Sequence, residues 1–274
     1  MINGGNNKLF TIKKFVKVES VEEAYELNRK KSNVVIGGMA WLKMSPHNYQ
    51  TGIDLSGLGL DTIEEDEEEY RIGCMCTLRQ LETHDSMNRY FDGVMKECVR
   101  NIVGVQFRNC ATIGGSIYRR FGFSDILTCF LSLDSYVELH HHGIVSMKDY
   151  LNLNLDRDIL VRIIIKKDCR KTSYMTQRNS ATDFPIIACA VSLKEDQWFI
   201  SVGARPTRAA LVTVENKLSS QSSKEEVSKF VDKVIEEFNF GSNMRASEEY
   251  RRQLAKVYVQ RCILGVLKGG QHDN

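Results

Sequence analysis

Two glycine pairs, each reached through apolar residues, are the positions in this 274-residue chain whose types and spacing could do chemistry. The first stands in Val34-Val35-Ile36-Gly37-Gly38-Met39. The second stands in Arg108-Asn109-Cys110-Ala111-Thr112-Ile113-Gly114-Gly115-Ser116-Ile117, with Ser124-Asp125 a few residues beyond. Where β-branched residues run into paired glycines, no Cβ shields the backbone, so successive N–H groups can approach an anion closely. Two such turns suit a diphosphate, although one Gly-Gly alone is weak evidence because turns need glycine anyway.

The other reactive residue types do not assemble into a motif. Cys74 and Cys76 form only Cys-x-Cys, and Cys98, Cys110, Cys129, Cys169, Cys189 and Cys262 stand singly, without the spacing of zinc or iron–sulfur sites. In a reducing compartment they read as small buried hydrophobes. His140-His141-His142 follows the strand-like Tyr136-Val137-Glu138-Leu139 and runs into Gly143, which reads as a hairpin turn. The acidic run 64–69 reads as a charged hairpin tip. No metal site is expected, and none of the six histidines sits in a catalytic motif.

The elements that must position the glycines follow from caps and periodicity. Ser20 with Glu23, Thr77 with Gln80 and Ser223 with Glu226 have capping-box spacing, which predicts a helix start at each. Val227, Phe230, Val231, Val234, Ile235 and Phe238 recur at helical spacing, and a last helix is expected after Ser247. Short apolar runs at 34–36, 70–72, 136–139, 160–165, 186–193 and 198–202 predict strands. The result is an α+β chain, with an N-terminal region to about residue 167 and a C-terminal region of antiparallel strands followed by two helices.

Composition sets limits on partners. Lys plus Arg against Asp plus Glu is 37 to 35, a balance that argues against a nucleic-acid surface or a polybasic membrane patch. No uncharged stretch approaches the length of a membrane span, and residues 1–7 lack an apolar targeting core, so a cytoplasmic protein is expected. A chain of about 300 residues can bury roughly three-quarters of its unfolded surface, so the core needs no staples.

The order of several blocks resembles the flavin-binding subunit of the molybdenum hydroxylases, the xanthine dehydrogenase and carbon monoxide dehydrogenase group. Val34 to Gly38 looks like that family's first FAD loop. Tyr70-Arg71-Ile72-Gly73-Cys74 with Thr77-Leu78-Arg79-Gln80-Leu81 is similar to its Ile-Gly-Ala-x-x-Thr-x-x-x-Leu segment, and Ala111-Thr112-Ile113-Gly114-Gly115 with Ser124-Asp125 to its second loop. Asp156-Arg157-Asp158-Ile159-Leu160, Gly203-Ala204-Arg205-Pro206-Thr207-Arg208 and Arg245-Ala246-Ser247 with Tyr250-Arg251-Arg252 extend the likeness over nearly the whole chain.

The resemblance implies a two-subdomain FAD-binding (PCMH-type) domain at 1–167, dividing near 57 into subdomains 1–57 and 58–167. A C-terminal domain like that of carbon monoxide dehydrogenase flavoproteins would occupy 168–274. It further implies that Ile36, Gly37, Gly38, Met39, Ala40 and Trp41, and Thr112, Ile113, Gly114, Gly115 and Ser116, face the FAD diphosphate, with the Thr112 hydroxyl as an added donor. Asp125 would accept bonds from the ribityl hydroxyls, Ser124 would cap a helix and touch the flavin, and Ile102 and Leu160 would make apolar contacts. The implied partners are an iron–sulfur subunit and a molybdenum-cofactor subunit, with an acceptor such as NAD.

Three departures stand out: Met39-Ala40 after the first glycines, Ser116 where Asn is usual, and Tyr118-Arg119-Arg120-Phe121-Gly122-Phe123 before Ser124. They leave loop one to work through its backbone, motivate an alternative in which the chain is a scaffold without flavin, and make Arg119 and Arg120 candidates for a docking surface or for stabilising charge on the flavin.

Overall fold

The computed structural model describes residues 10–269, so the stretch 1–7 considered above for a targeting segment lies outside the described residues. Strand β1 (Thr11–Lys17), helix α1 (Val21–Asn28), β2 (Asn33–Ile36) and β3 (Asn48–Asp54) form a small unit whose strands pair in parallel in the order β1-β3-β2. The Ser20 side chain accepts the Glu23 N–H and starts α1 where the spacing predicts. Loop one leaves the carboxyl end of β2, the end at which open α/β sheets bind ligands.

A second sheet is wholly antiparallel and combines β4 (Ile63–Glu65), β5 (Glu69–Gly73), β6 (Ser135–Leu139), β7 (Gly143–Ser146) and β8 (Leu160–Lys166) in the order β4-β5-β8-β6-β7. The acidic run is the β4–β5 hairpin tip and the histidine run is the β6–β7 turn. Between β5 and β6 come short helices α2 (Leu78–Thr83), α3 (Asp85–Tyr90), α4 (Val94–Val99), α5 (Val105–Cys110), α6 (Ile113–Tyr118) and α7 (Asp125–Leu131); α8 (Met147–Tyr150) follows β7. Tyr70, Ile72, Ile163 and Ile165 are fully buried beneath them, each such side chain contributing roughly 1.5–3 kcal/mol.

The C-terminal region is a meander of β9 (Lys171–Arg178), β10 (Pro185–Lys194), β11 (Gln197–Gly203) and β12 (Ala210–Glu215), then α9 (Lys224–Glu236) and α10 (Glu248–Leu267). One face, carrying Ile187, Cys189, Val191 and Trp198, shares a core with Val231, Ile235, Val259 and Ile263 of the two helices. The other face places Tyr174, Ala188 and Ala190 in the same core as the second sheet. Burial on both faces explains why 186–193 is a continuous apolar run rather than an alternating one. Strands β1, β3, β9 and β12 were not foreseen: β1 is largely exposed, and β9 buries Thr172 and Ser173, whose hydroxyls hide the strand in a hydropathy reading.

Candidate functional site

The two glycine segments, far apart in sequence, lie against each other. A Cβ added at Gly38 would stand 1.7 Å from the Cys110 carbonyl oxygen, and one at Gly37 would stand 2.7 Å from Thr112 Oγ1. Beside this junction opens a cleft of about 980 Å³, a volume suited to a large cofactor. Every residue expected to meet the cofactor lines it except Gly38, which is spent on packing, and Ile113, which is fully buried in the core.

Loop one carries the free donors. Among the described residues the backbone N–H groups of Gly37, Gly38, Met39, Ala40 and Trp41 have no protein acceptor. Met39 has φ of +54°, a conformation that costs a residue with a Cβ on the order of 1–3 kcal/mol. A left-handed residue within such a run turns successive N–H groups toward one point, which makes an anion-binding concavity.

The second segment differs from the expected turn. Thr112 is the N-cap of α6, its Oγ1 accepting the Gly115 N–H at 3.2 Å, and both glycines lie inside the helix without positive φ. The Ile113 N–H donates to Cys76, that of Gly114 to Cys74 and that of Ser116 to Thr112, at 2.8, 2.9 and 3.1 Å. The first two bonds tie the segment to the loop after β5, the third lies within its own helix, and a Cβ on Gly114 would lie 2.6 Å from the Cys74 oxygen. Gly115 is exposed, and an added Cβ would meet only Thr112 Oγ1, at 3.1 Å. The expectation that both loops present N–H groups therefore divides: loop one offers donors, while the second segment offers space and the Thr112 hydroxyl.

Asp125 is buried, and its Oδ1 accepts bonds from Tyr174 Oη at 2.6 Å and Arg178 Nη2 at 2.5 Å. Burial pushes its carboxyl up, while the Arg178 guanidinium and the two hydrogen bonds pull in the opposite direction. Ser124 caps α7 by accepting the Leu127 N–H at 3.2 Å. Arg178 lines the cleft, and its Nε is buried without a partner. Sequence reasoning missed Arg178 and Tyr174, because the pairing joins residues about 50 positions apart with no local signal.

Two further features line the cleft. Trp41 stacks on Phe184 at 5.5 Å, and Phe123 lies 4.6 Å from Phe184 and 5.0 Å from Phe121, so one mouth is aromatic. Arg157, at φ +61°, donates to the carbonyls of Asn28, Lys30 and Asn33 and to Asn28 Oδ1, tying the start of β8 to the start of β2. Its neighbour Asp158 accepts from the His141 and His142 N–H groups and from His142 Nδ1. Burial alone would raise that carboxyl, but these donors hold it below the usual carboxylate range.

The departing loop behaves differently from the docking surface suggested for it. Arg120 turns inward, donating to the carbonyls of Tyr150, Leu151 and Leu153 at 3.0, 3.2 and 2.8 Å. Arg119 stays exposed at the cleft. Six of the cysteines are buried, and burial pushes the Cys74 and Cys76 thiols up to about 12, so they stay neutral. Among the described residues no helix is long and apolar enough to cross a membrane.

Residues 10–167 match the family described as FAD binding domain in molybdopterin dehydrogenase, and 172–266 match the CO dehydrogenase flavoprotein C-terminal domain. A curated relative, the uncharacterized protein YgfM of Escherichia coli K12, is 29% identical over 188 residues, 67% of this chain and 71% of that protein. A chain of quinoline 2-oxidoreductase from Pseudomonas putida 86 superposes with a TM-score of 0.82 at 17% identity, covering 94% of this chain and 98% of that one. A chain of carbon monoxide dehydrogenase from Oligotropha carboxidovorans superposes with a TM-score of 0.79 at 21% identity, covering 97% and 99%. At these identities the structural likenesses establish the fold.

Proposed function

The chain belongs to the FAD-binding family of molybdopterin dehydrogenases and takes FAD as its cofactor, and from that premise we propose that it is the electron-transfer subunit of a multi-subunit molybdenum-hydroxylase-type oxidoreductase. In this reading it takes electrons from an iron–sulfur subunit, itself fed by a molybdenum-cofactor subunit, and passes them to an acceptor such as NAD. The observation that carries the reading is the run of unpartnered N–H groups at 37–41, in which Gly37, Met39, Ala40 and Trp41 line a cleft of about 980 Å³.

The residues present fit the cofactor. The loop-one N–H groups would hold its diphosphate, with Met39 and Ala40 contributing through their backbone, and the Thr112 hydroxyl would donate a further bond. The open side of Gly115 leaves room for the phosphates, Asp125 and Arg178 offer polar partners for the ribityl chain, and Ile36, Ile102 and Leu160 supply apolar wall. Bound there, FAD supplies the capacity to receive electrons singly and release them in pairs. The protein's part is to orient and enclose it, which the aromatic residues around Trp41 do at one mouth. We place the domain limits at 1–167 and 168–274, with the subdomain division near 57.

Metal analysis of the native assembly tests this reading. Isolated through this chain, it should contain iron and molybdenum in subunits that co-elute with it, and NAD should reoxidise the reduced assembly. An assembly without any redox-active partner, or a lone chain that oxidises an organic substrate at full rate, would overturn it. The alternative of a flavin-free scaffold predicts a colourless protein.

A further inference from the structure

Beyond the aromatic mouth lies a second cavity of about 440 Å³, which shares Phe123, Phe184 and Pro185 with the cleft. Its charged lining consists of Arg208, Arg245 and Arg251, with no Asp or Glu. Arg251, in the first turn of α10, is 1% exposed. Its Nη1 donates to the Ile186 and Ala204 carbonyls and its Nη2 to Asn243 Oδ1, all neutral acceptors, and its Nε has no partner.

Charge is the unusual quantity here. Among the described residues neither Arg251 nor Arg208 has a carboxylate within ion-pair distance, while Arg245 meets Asp183 at 3.4 Å and leaves its own Nε buried without an acceptor. Guanidinium groups stay protonated in proteins, so this positive charge cannot be relieved by losing a proton. Arg208 is exposed and Arg245 partly so, which leaves Arg251 as the buried ion; such a charge without a counter-charge is costly to hold, a cost that an anion in the cavity would offset. Burial acts on Arg251 in the same sense, pushing its pKa down, and the Arg245 charge adds to it.

We propose that this cavity binds a phosphate-type oxyanion, gripped by Arg208, Arg245 and Arg251, as a site separate from the loop at 37–41. Planar guanidinium forks match the oxygens of a phosphoryl group in pairs. The cavity is larger than one phosphate needs, and its Phe123 and Phe184 wall offers aromatic surface for an attached ring. The same chemistry serves free phosphate and the phosphoryl end of a nucleotide.

The test is calorimetric titration of the FAD-loaded chain, so that the cofactor site is filled, first with inorganic phosphate and then with ADP at low ionic strength. The proposal predicts saturable binding of one anion per chain. Arg245→Gln and Arg208→Gln should each weaken it by about tenfold or more, the scale of a lost charge-assisted hydrogen bond, with FAD content unchanged. ADP binding at least about tenfold tighter than phosphate would identify a nucleotide as the ligand, and equal affinity would identify free phosphate; both support the site. Arg251→Lys keeps the charge and guards against a folding failure at that buried position, and it too should weaken binding. Non-saturable heats in the wild type, or wild-type affinity in all three variants, would overturn the proposal.

Discussion

At Gly38 and Gly114 the missing Cβ makes room for protein, the Cys110 and Cys74 carbonyls, whereas at Gly115 it makes room for the cleft. Two glycine pairs that look alike in sequence therefore predict different outcomes. Gly38→Ala and Gly114→Ala should lower stability by about 1–3 kcal/mol through overpacking, read as a fall in apo-protein melting temperature. Gly115→Val should keep most of the stability but lose FAD, read as cofactor retained after gel filtration. Asp125 is also two-sided. Its carboxylate is the buried partner of Arg178, so Asp125→Ala should cost about 3–5 kcal/mol in folding, the scale of a broken buried pair, in addition to weakening FAD; denaturant unfolding of apo and loaded protein separates the two. The sequence marked Asp125 through its place after the second glycines, but nothing local in it announced Arg178, which arrives from the end of β9.

Among the elements, the strap from Arg157 to Asn28, Lys30 and Asn33 holds the start of β2 and hence loop one in place. Arg157→Gly tolerates the positive φ and removes only the strap. Amide hydrogen exchange should quicken at Val34, Val35 and Ile36 and FAD affinity should fall, while α9 and α10 keep their protection; unchanged exchange in β2 would refute the role. Much at this scale was readable beforehand. Ser20, Thr77 and Ser223 start helices where their spacing says; Thr77 with Gln80 and Ser223 with Glu226 close both bonds of a capping box, while Ser20 makes only the cap to the Glu23 N–H. The helices α3 to α6 and α8 were not readable, because segments of four to six residues complete too few turns to show a period, and α7 was expected only from the resemblance, through Ser124 as its cap. The second glycine segment was read as a turn for the same reason: its helix is six residues long and its bonds to Cys74 and Cys76 are tertiary.

For the molecule as a whole, several buried carboxylates are held by partners that tie its sheets and helices together: Glu82 by Arg108 and Arg79, Asp158 by His142, Asp168 by Arg170. In each, burial alone would raise the pKa, but the partners outweigh it and hold the carboxyl below its usual value. A carboxyl with a depressed folded pKa contributes stability above its unfolded value, about 4, and loses it as pH falls through the folded value. Denaturant unfolding should therefore show stability level above about pH 5 and falling below about pH 4, with a shallower acid limb in Glu82→Gln; a flat profile to pH 3 would contradict the ion-pair account. The central claim is that one FAD sits in the cleft between the glycine segments, held without a covalent bond. It is tested most directly by loading the purified chain with FAD, measuring the stoichiometry, and denaturing the protein, alongside Gly115→Val. The account predicts one FAD per chain in the wild type, complete release of the chromophore on denaturation, and no retained FAD in the variant despite a folded chain. Chromophore that stays on the denatured polypeptide, or wild-type FAD content in Gly115→Val, would contradict it.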